Sequence, residues 1–187
     1  MNYKKLEIPD VILFEPDVFE DDRGFFLETW KQKLFHENTD TNYSFVQDNS
    51  SRSFKNVLRG LHYQVNNPQG KLIRVSRGII FDVVVDLRRN SKSFRKFLSV
   101  EISEENRNIL WVPPGFAHGF CAISEIVDLH YKCTEYYDAQ DEYGVNALDP
   151  NLNIQWPIKS PIISTKDISL PKIYEIDENK LPQFDNL

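Results

Sequence analysis

The chain has 187 residues, 41% of them hydrophobic and 27% charged, with a net charge of −6. That length and balance fit one ordinary globular domain spanning 1–187 and exclude a disordered chain. The acidic balance argues against nucleic-acid binding, which needs a basic face, and no apolar run approaches a membrane span. Lys4 and Lys5 have no apolar stretch behind them, so no signal peptide and a cytoplasmic protein are expected. Cys121 and Cys133 are too few for a disulfide scaffold and read as free thiols. In chain order, the first regular element expected is a short helix over residues 29–38, with Trp30 and Leu34 on one face. Short strands follow, starting at Tyr43, Val57, Lys71, Ile79, Phe97, Asn108, Phe116 and Ile126. In the strand from Ile79, alternation puts Ile79, Phe81, Val83, Val85 and Leu87 on one face and Asp82 and Asp86 on the other. Turn signals at Asn66–Gly70, Arg88–Lys92 and Pro113–Gly115 punctuate these runs. A second short helix is expected after Ser164 or near the C-terminus, and the polar tail beyond about residue 170 is peripheral. The pattern predicts an all-β, double-sheet jelly roll with a few short helices.

Two segments carry chemistry. In L-R-G-L-H-Y-Q, His62 stands in an apolar run with Arg59 before it and Lys71 after it. A neutral imidazole is a natural base near neutral pH, and a fixed ammonium can hold an oxyanion. A core histidine with a backbone partner is the plain alternative. On a regular strand His62 faces with Leu58 and Gln64, opposite Arg59, unless Gly60 marks a bulge. In W-V-P-P-G-F-A-H-G-F, His118 is either a turn histidine or a ligand contact. Tyr131 and Tyr137 are strand aromatics that could serve as a proton donor and a stacking platform. His118-x-x-Cys121 and His130-x-x-Cys133 have the composition of zinc half-sites, but residues three apart on a strand point to opposite faces. No metal is therefore expected. Dinucleotide, Walker and nucleophile-elbow motifs are absent.

The segments R-G-F-F-L-E-T-W at 23–30, F-V-Q-D-N at 45–49, L-R-G-L-H-Y-Q at 58–64 and Q-G-K-L-I-R-V at 69–75 form an ordered set. F-D-V-V-V-D-L-R at 81–88, W-V-P-P-G-F-A-H-G-F at 111–120, Y-K-C-T-E-Y-Y at 131–137 and S-T-K-D at 164–167 continue it. In this set the chain resembles the dTDP-4-dehydrorhamnose 3,5-epimerases, from about residue 10 to 170. The resemblance implies a cupin-type jelly roll, a homodimer, and no metal or redox cofactor. It implies conversion of dTDP-4-dehydro-6-deoxy-D-glucose to dTDP-4-dehydro-L-rhamnose, in dTDP-L-rhamnose synthesis for cell-surface polysaccharide. It implies His62 as base, Asp167 as its partner, Lys71 as enolate stabiliser and Tyr131 as proton donor. It also implies substrate or nucleotide contacts at Arg23, Glu28, Gln47, Asp48, Asn49, Arg59, Lys71, His118, Tyr137, Glu142 and Lys166. Tyr137 would stack on thymine, and Arg23 and Glu28 would reach a partner subunit's site. A 3-epimerase of the same family, or a non-catalytic nucleotide-sugar binder, are the alternatives.

Overall fold

The computed structural model describes residues 1–183. Thirteen strands are laid out among the described residues, and eleven of them form two facing sheets. The first sheet holds six strands: β1 (Asn2–Lys5), β2 (Ile12–Glu15), β5 (Gln47–Phe54), β7 (Lys71–Arg77), β10 (Ile109–Val112) and β12 (Ile126–Cys133). Their spatial order is β1-β2-β10-β7-β12-β5. The second holds β6 (Leu58–Gln64), β8 (Ile79–Asp86), β9 (Phe97–Ser103), β11 (Phe116–Ala122) and β13 (Glu142–Gly144), in the order β13-β6-β11-β8-β9. β3 (Val18–Asp21) and β4 (Gly24–Leu27) make a separate hairpin. The expected double-sheet jelly roll is the architecture found.

Three apolar clusters hold the layers. Ile73, Val75, Leu110 and Leu129 of the first sheet meet Ile80, Val84, Ile102 and Phe120 of the second in the space between them. The outer face of the second sheet is covered by the C-terminal segment, which buries Ile173, Ile176 and Leu181 against Leu61, Val83 and Val85. The described part of the tail, up to residue 183, therefore wraps the body. On the first sheet's outer face, α1 (Gln32–Thr39) seats Phe35 against Phe14, Leu72 and Trp111.

Four details differ from the sequence reading or go beyond it. The strand expected from Tyr43 begins at Gln47 instead, and Tyr43 and Phe45 pack on Trp111 beneath α1. The helix buries Phe35, whereas Leu34 is only partly covered. Phe81, Val83 and Val85 of β8, with Leu87 just beyond it, face the C-terminal segment, so the opposite face, with Asp82 and Asp86, is the interior one. Both faces of β8 are buried because this sheet is covered on both sides, and apolar alternation then no longer marks the inside.

The fourth detail, the bulge that Gly60 offered, sets up the site. In the pairing of β6 with β11, His62 lies opposite His118 and Arg59 opposite Phe120, so β6 carries one extra residue. Gly60 is that bulge, with φ of 111°. Leu58 and Leu61 consequently pack outward, while Arg59 and His62 both turn inward. A Cβ at Gly60 would stand 2.6 Å from Gly119 Cα and 2.7 Å from the His118 carbonyl oxygen. Gly60→Ala is expected to destabilise the protein by about 2 kcal/mol or more, read as a lowered urea midpoint with unchanged slope. A midpoint equal to the parent's would mean that the bulge tolerates a side chain.

Candidate functional site

A cavity of about 540 Å³ opens between the sheets, lined among others by Arg59, His62, Lys71, His118, Tyr131 and Asp167. Strand alternation supplies Lys71 and Tyr131 from the first sheet and His118 from the second, and the Gly60 bulge adds both Arg59 and His62. Asp167 arrives from far along the chain. Ile162 is bonded in parallel to the start of β6, donating to the Asn56 carbonyl at 2.8 Å and accepting from Leu58 N–H at 3.0 Å. The helical turn α2 (Thr165–Ile168) follows, with the Ser164 side chain accepting from Asp167 N–H at 3.0 Å as its N-cap. Asp167 is thus delivered to the bulge. One of its oxygens accepts from Gly60 N–H at 3.2 Å, and the other bonds His62 Nε2 at 2.8 Å.

With Nε2 committed to Asp167, Nδ1 is the working nitrogen of His62. Glu142 Oε1 lies 3.8 Å from it. Burial pushes the imidazole below the ordinary histidine range, while Asp167 and Glu142 oppose that shift and Lys71 adds to it. Asp167 raises the basicity of His62, but burial outweighs it, and the ring is a free base at neutral pH.

Lys71 opens β7 opposite Cys133. The preceding Gly70 is clamped to Thr134, donating its N–H to Oγ1 at 2.8 Å and accepting from Thr134 N–H at 3.0 Å. Burial lowers the ammonium's affinity for its proton, and Cys133, Glu142 and Asp82 counter this through space. No carboxylate among the described residues forms an ion pair with it, so its charge is available to a ligand. Tyr131 is half-buried, and its phenol is pushed up chiefly by burial, which keeps it protonated. Arg59 is steadied by Ser53 Oγ at 3.0 Å.

A polar rim extends from the cavity. Tyr137 donates its hydroxyl to Glu142 at 2.6 Å, and Lys166 pairs with the same carboxylate oxygen. Gln47 accepts from Tyr137 N–H at 3.0 Å and donates to Asn49 at 2.9 Å. The Tyr137 ring is exposed, as a stacking platform must be. Three expected contacts lie elsewhere in this chain. Asp48 points to the outer face of β5, paired with Lys132 at 2.9 Å. Arg23 sits beyond β3 on the separate hairpin, bonded to Asp21, and Glu28 pairs with Lys31.

One residue of the site escaped the sequence reading. Asp82, wholly buried, bonds His118 Nε2 at 2.8 Å. Its signal was an acid inside the apolar run of β8. The two His-x-x-Cys pairs do not converge. His118 faces the cavity while Cys121 packs outward, and His130 bonds Ser76 on the other side of its strand from Cys133. Among the described residues no three His, Cys, Asp or Glu side chains form a metal-holding group.

Residues 5–175 match the family model described as dTDP-4-dehydrorhamnose 3,5-epimerase. The chain is 48% identical to the dTDP-4-dehydrorhamnose 3,5-epimerase of Shigella flexneri over 178 residues, covering 95% of this chain and 98% of that one. It is 36% identical to the dTDP-4-dehydrorhamnose 3-epimerase of Streptomyces niveus, over 89% of this chain and 81% of that one. The crystal structure of dTDP-6-deoxy-D-glucose-3,5-epimerase from Legionella pneumophila Philadelphia 1, in complex with dTDP-4-keto-L-rhamnose, superposes with a TM-score of 0.95 at 42% identity, covering 98% of each chain.

Proposed function

The chain belongs to the dTDP-4-dehydrorhamnose 3,5-epimerase family, and we propose how its own residues perform that reaction. The enzyme is a nucleotide-sugar isomerase that converts dTDP-4-dehydro-6-deoxy-D-glucose to dTDP-4-dehydro-L-rhamnose, a step of dTDP-L-rhamnose synthesis. C3 and C5 both flank the C4 ketone, and their protons are acidic only because the resulting anion spreads onto the C4 oxygen. His62 Nδ1 removes each proton in turn. Lys71 holds the enolate oxygen. Tyr131 returns a proton on the opposite face of the ring, which inverts the centre. Arg59 and Lys166 meet the diphosphate, Gln47 and Asn49 the nucleotide, and Tyr137 stacks on thymine. The observation that carries this reading is the convergence of the His62–Asp167 pair, Lys71 and Tyr131 on one cavity.

The test is turnover in deuterium oxide. Deuterium at both C3 and C5 of the product supports double inversion. Label at C3 alone identifies a 3-epimerase, and no label identifies a binder. Tyr131→Phe is expected to retain deuterium exchange while losing about 10²-fold in net inversion. Equal losses in both would remove Tyr131 from the donor role.

A homodimer completes the site in this reading. The hairpin of β3 and β4 exposes Phe19, Phe25 and Phe26, an apolar surface that a second copy would cover. Arg23, 89% exposed on the same hairpin, and nearby Glu28 would then reach the other protomer's cavity. Residues 1–187 work as one domain. Two free buried thiols and a nucleotide-linked substrate support a cytoplasmic enzyme. No described helix is long and apolar enough to cross a membrane.

A further inference from the structure

His62 and His118 are register partners across β6 and β11, and each commits Nε2 to an aspartate at 2.8 Å. The two aspartates live in different surroundings. Asp167 accepts N–H bonds on both oxygens, from Gly60 and from His62. It therefore takes the proton of His62 on Nε2–H and leaves Nδ1 with a lone pair. Asp82 is 0% exposed, stands between the sheets, and has no partner for Oδ1. It is the only buried carboxylate oxygen so orphaned among the described residues. An ionised carboxylate with a dry, empty oxygen is costly, and sharing a proton relieves it. Burial accordingly pushes Asp82 above the ordinary carboxylate range, against the pull of His118 and Lys71. With the shared proton on Asp82, Oδ2–H donates to His118 Nε2, and the ring's own proton sits on Nδ1. That nitrogen has no hydrogen-bond partner among the described residues and is not sealed from the cavity that the ring lines with Lys71.

We infer that Asp82 is a positioning residue that holds His118 with its proton on Nδ1, so that His118 and Lys71 together donate to the oxyanion at C4. The two histidines thus face one substrate in opposite tautomers, His62 as acceptor and His118 as donor. No proton leaves the Asp82–His118 pair during the reaction. The inference rests on the enolate reading above and names the second donor of its oxyanion site.

The test is the tautomeric state of His118 in protein labelled with 15N-histidine. With 4 histidines in the chain, a His118→Gln variant assigns the signals. At neutral pH the intact protein is expected to show a protonated Nδ1. Asp82→Leu, which fills the space without a proton partner, is expected to give a mixture of tautomers and about a tenfold lower kcat, with KM nearly unchanged. Asp82→Asn can donate its amide to Nε2 and is expected to recover most of that loss. A bare Nδ1 in the intact protein overturns the inference, and so does a folded Asp82→Leu with unaltered kcat. The spectrum needs no turnover, so failure of the enolate reading shows separately, in the His62→Ala variant.

Discussion

His62→Ala is expected to lower kcat by about 10³-fold, near 4 kcal/mol of transition-state stabilisation, and to abolish deuterium exchange at both carbons. Among the described residues, the two carboxylates beside His62 are already engaged. Glu142 Oε2 is engaged by Tyr137 and Lys166, and Asp167 Oδ2 by Gly60 N–H. Affinity for dTDP should be nearly unchanged, because the nucleotide meets the rim and not the imidazole. Titration of kcat/KM adds a check with a definite sign. A base must be unprotonated to act, and burial lowers the proton affinity of His62. The acid limb should therefore fall below the ordinary histidine range, and activity should stay level across neutral pH. A limb displaced above that range would mean that Asp167 and Glu142 outweigh burial. Exchange at wild-type rates in the alanine variant would assign the base elsewhere.

Lys71→Met is expected to reduce kcat by about 10²–10³-fold with a smaller change in KM. Methionine keeps most of the stem's volume and removes the charge. The ammonium is buried, held at its backbone by the Gly70–Thr134 clamp, and unpaired with any described carboxylate. It needs no reorganisation to meet charge that develops at C4, and a dry site strengthens that interaction. Kinetics measured for each variant with wild-type and deuterium-labelled substrate separate the two roles. A loss confined to KM would make Lys71 a binding group only.

Much of this protein was legible in its sequence, for physical reasons that also mark where reading stopped. β12 begins at Ile126 as expected because its apolar and polar residues alternate cleanly. β5 was missed because Q-D-N-S-S-R-S-F has no apolar run. It lies at a sheet edge, with its cavity-facing residues polar for their proposed ligand. The aromatics before it, Tyr43 and Phe45, mimic a strand but fill the space under α1. Alternation separates the two faces of β8 without telling which is interior, because both are covered, and Asp82 was passed over for that reason. At Gly60 the sequence offered only a hint of a bulge, yet that extra residue decides whether Arg59 and His62 share a cavity. Asp167 is 105 residues from His62, and no spacing rule links them. The family resemblance supplied that pair, and the Ile162 bridge and Ser164 cap explain it. Arg23, Glu28 and Asp48 stand away from the cavity of their own chain, so their expected roles depend on a second copy or, for Asp48, on its backbone.

The reaction demands that an imidazole lone pair and an ammonium address one sugar from inside the β-shell. A crystal structure with the dTDP-linked 4-keto sugar bound tests this most directly. Lys71 Nζ should lie about 3 Å from the C4 oxygen, with His62 Nδ1 on the face that carries the departing hydrogens. A sugar seated at the rim, with its carbonyl in solvent and Lys71 out of reach, would contradict the account.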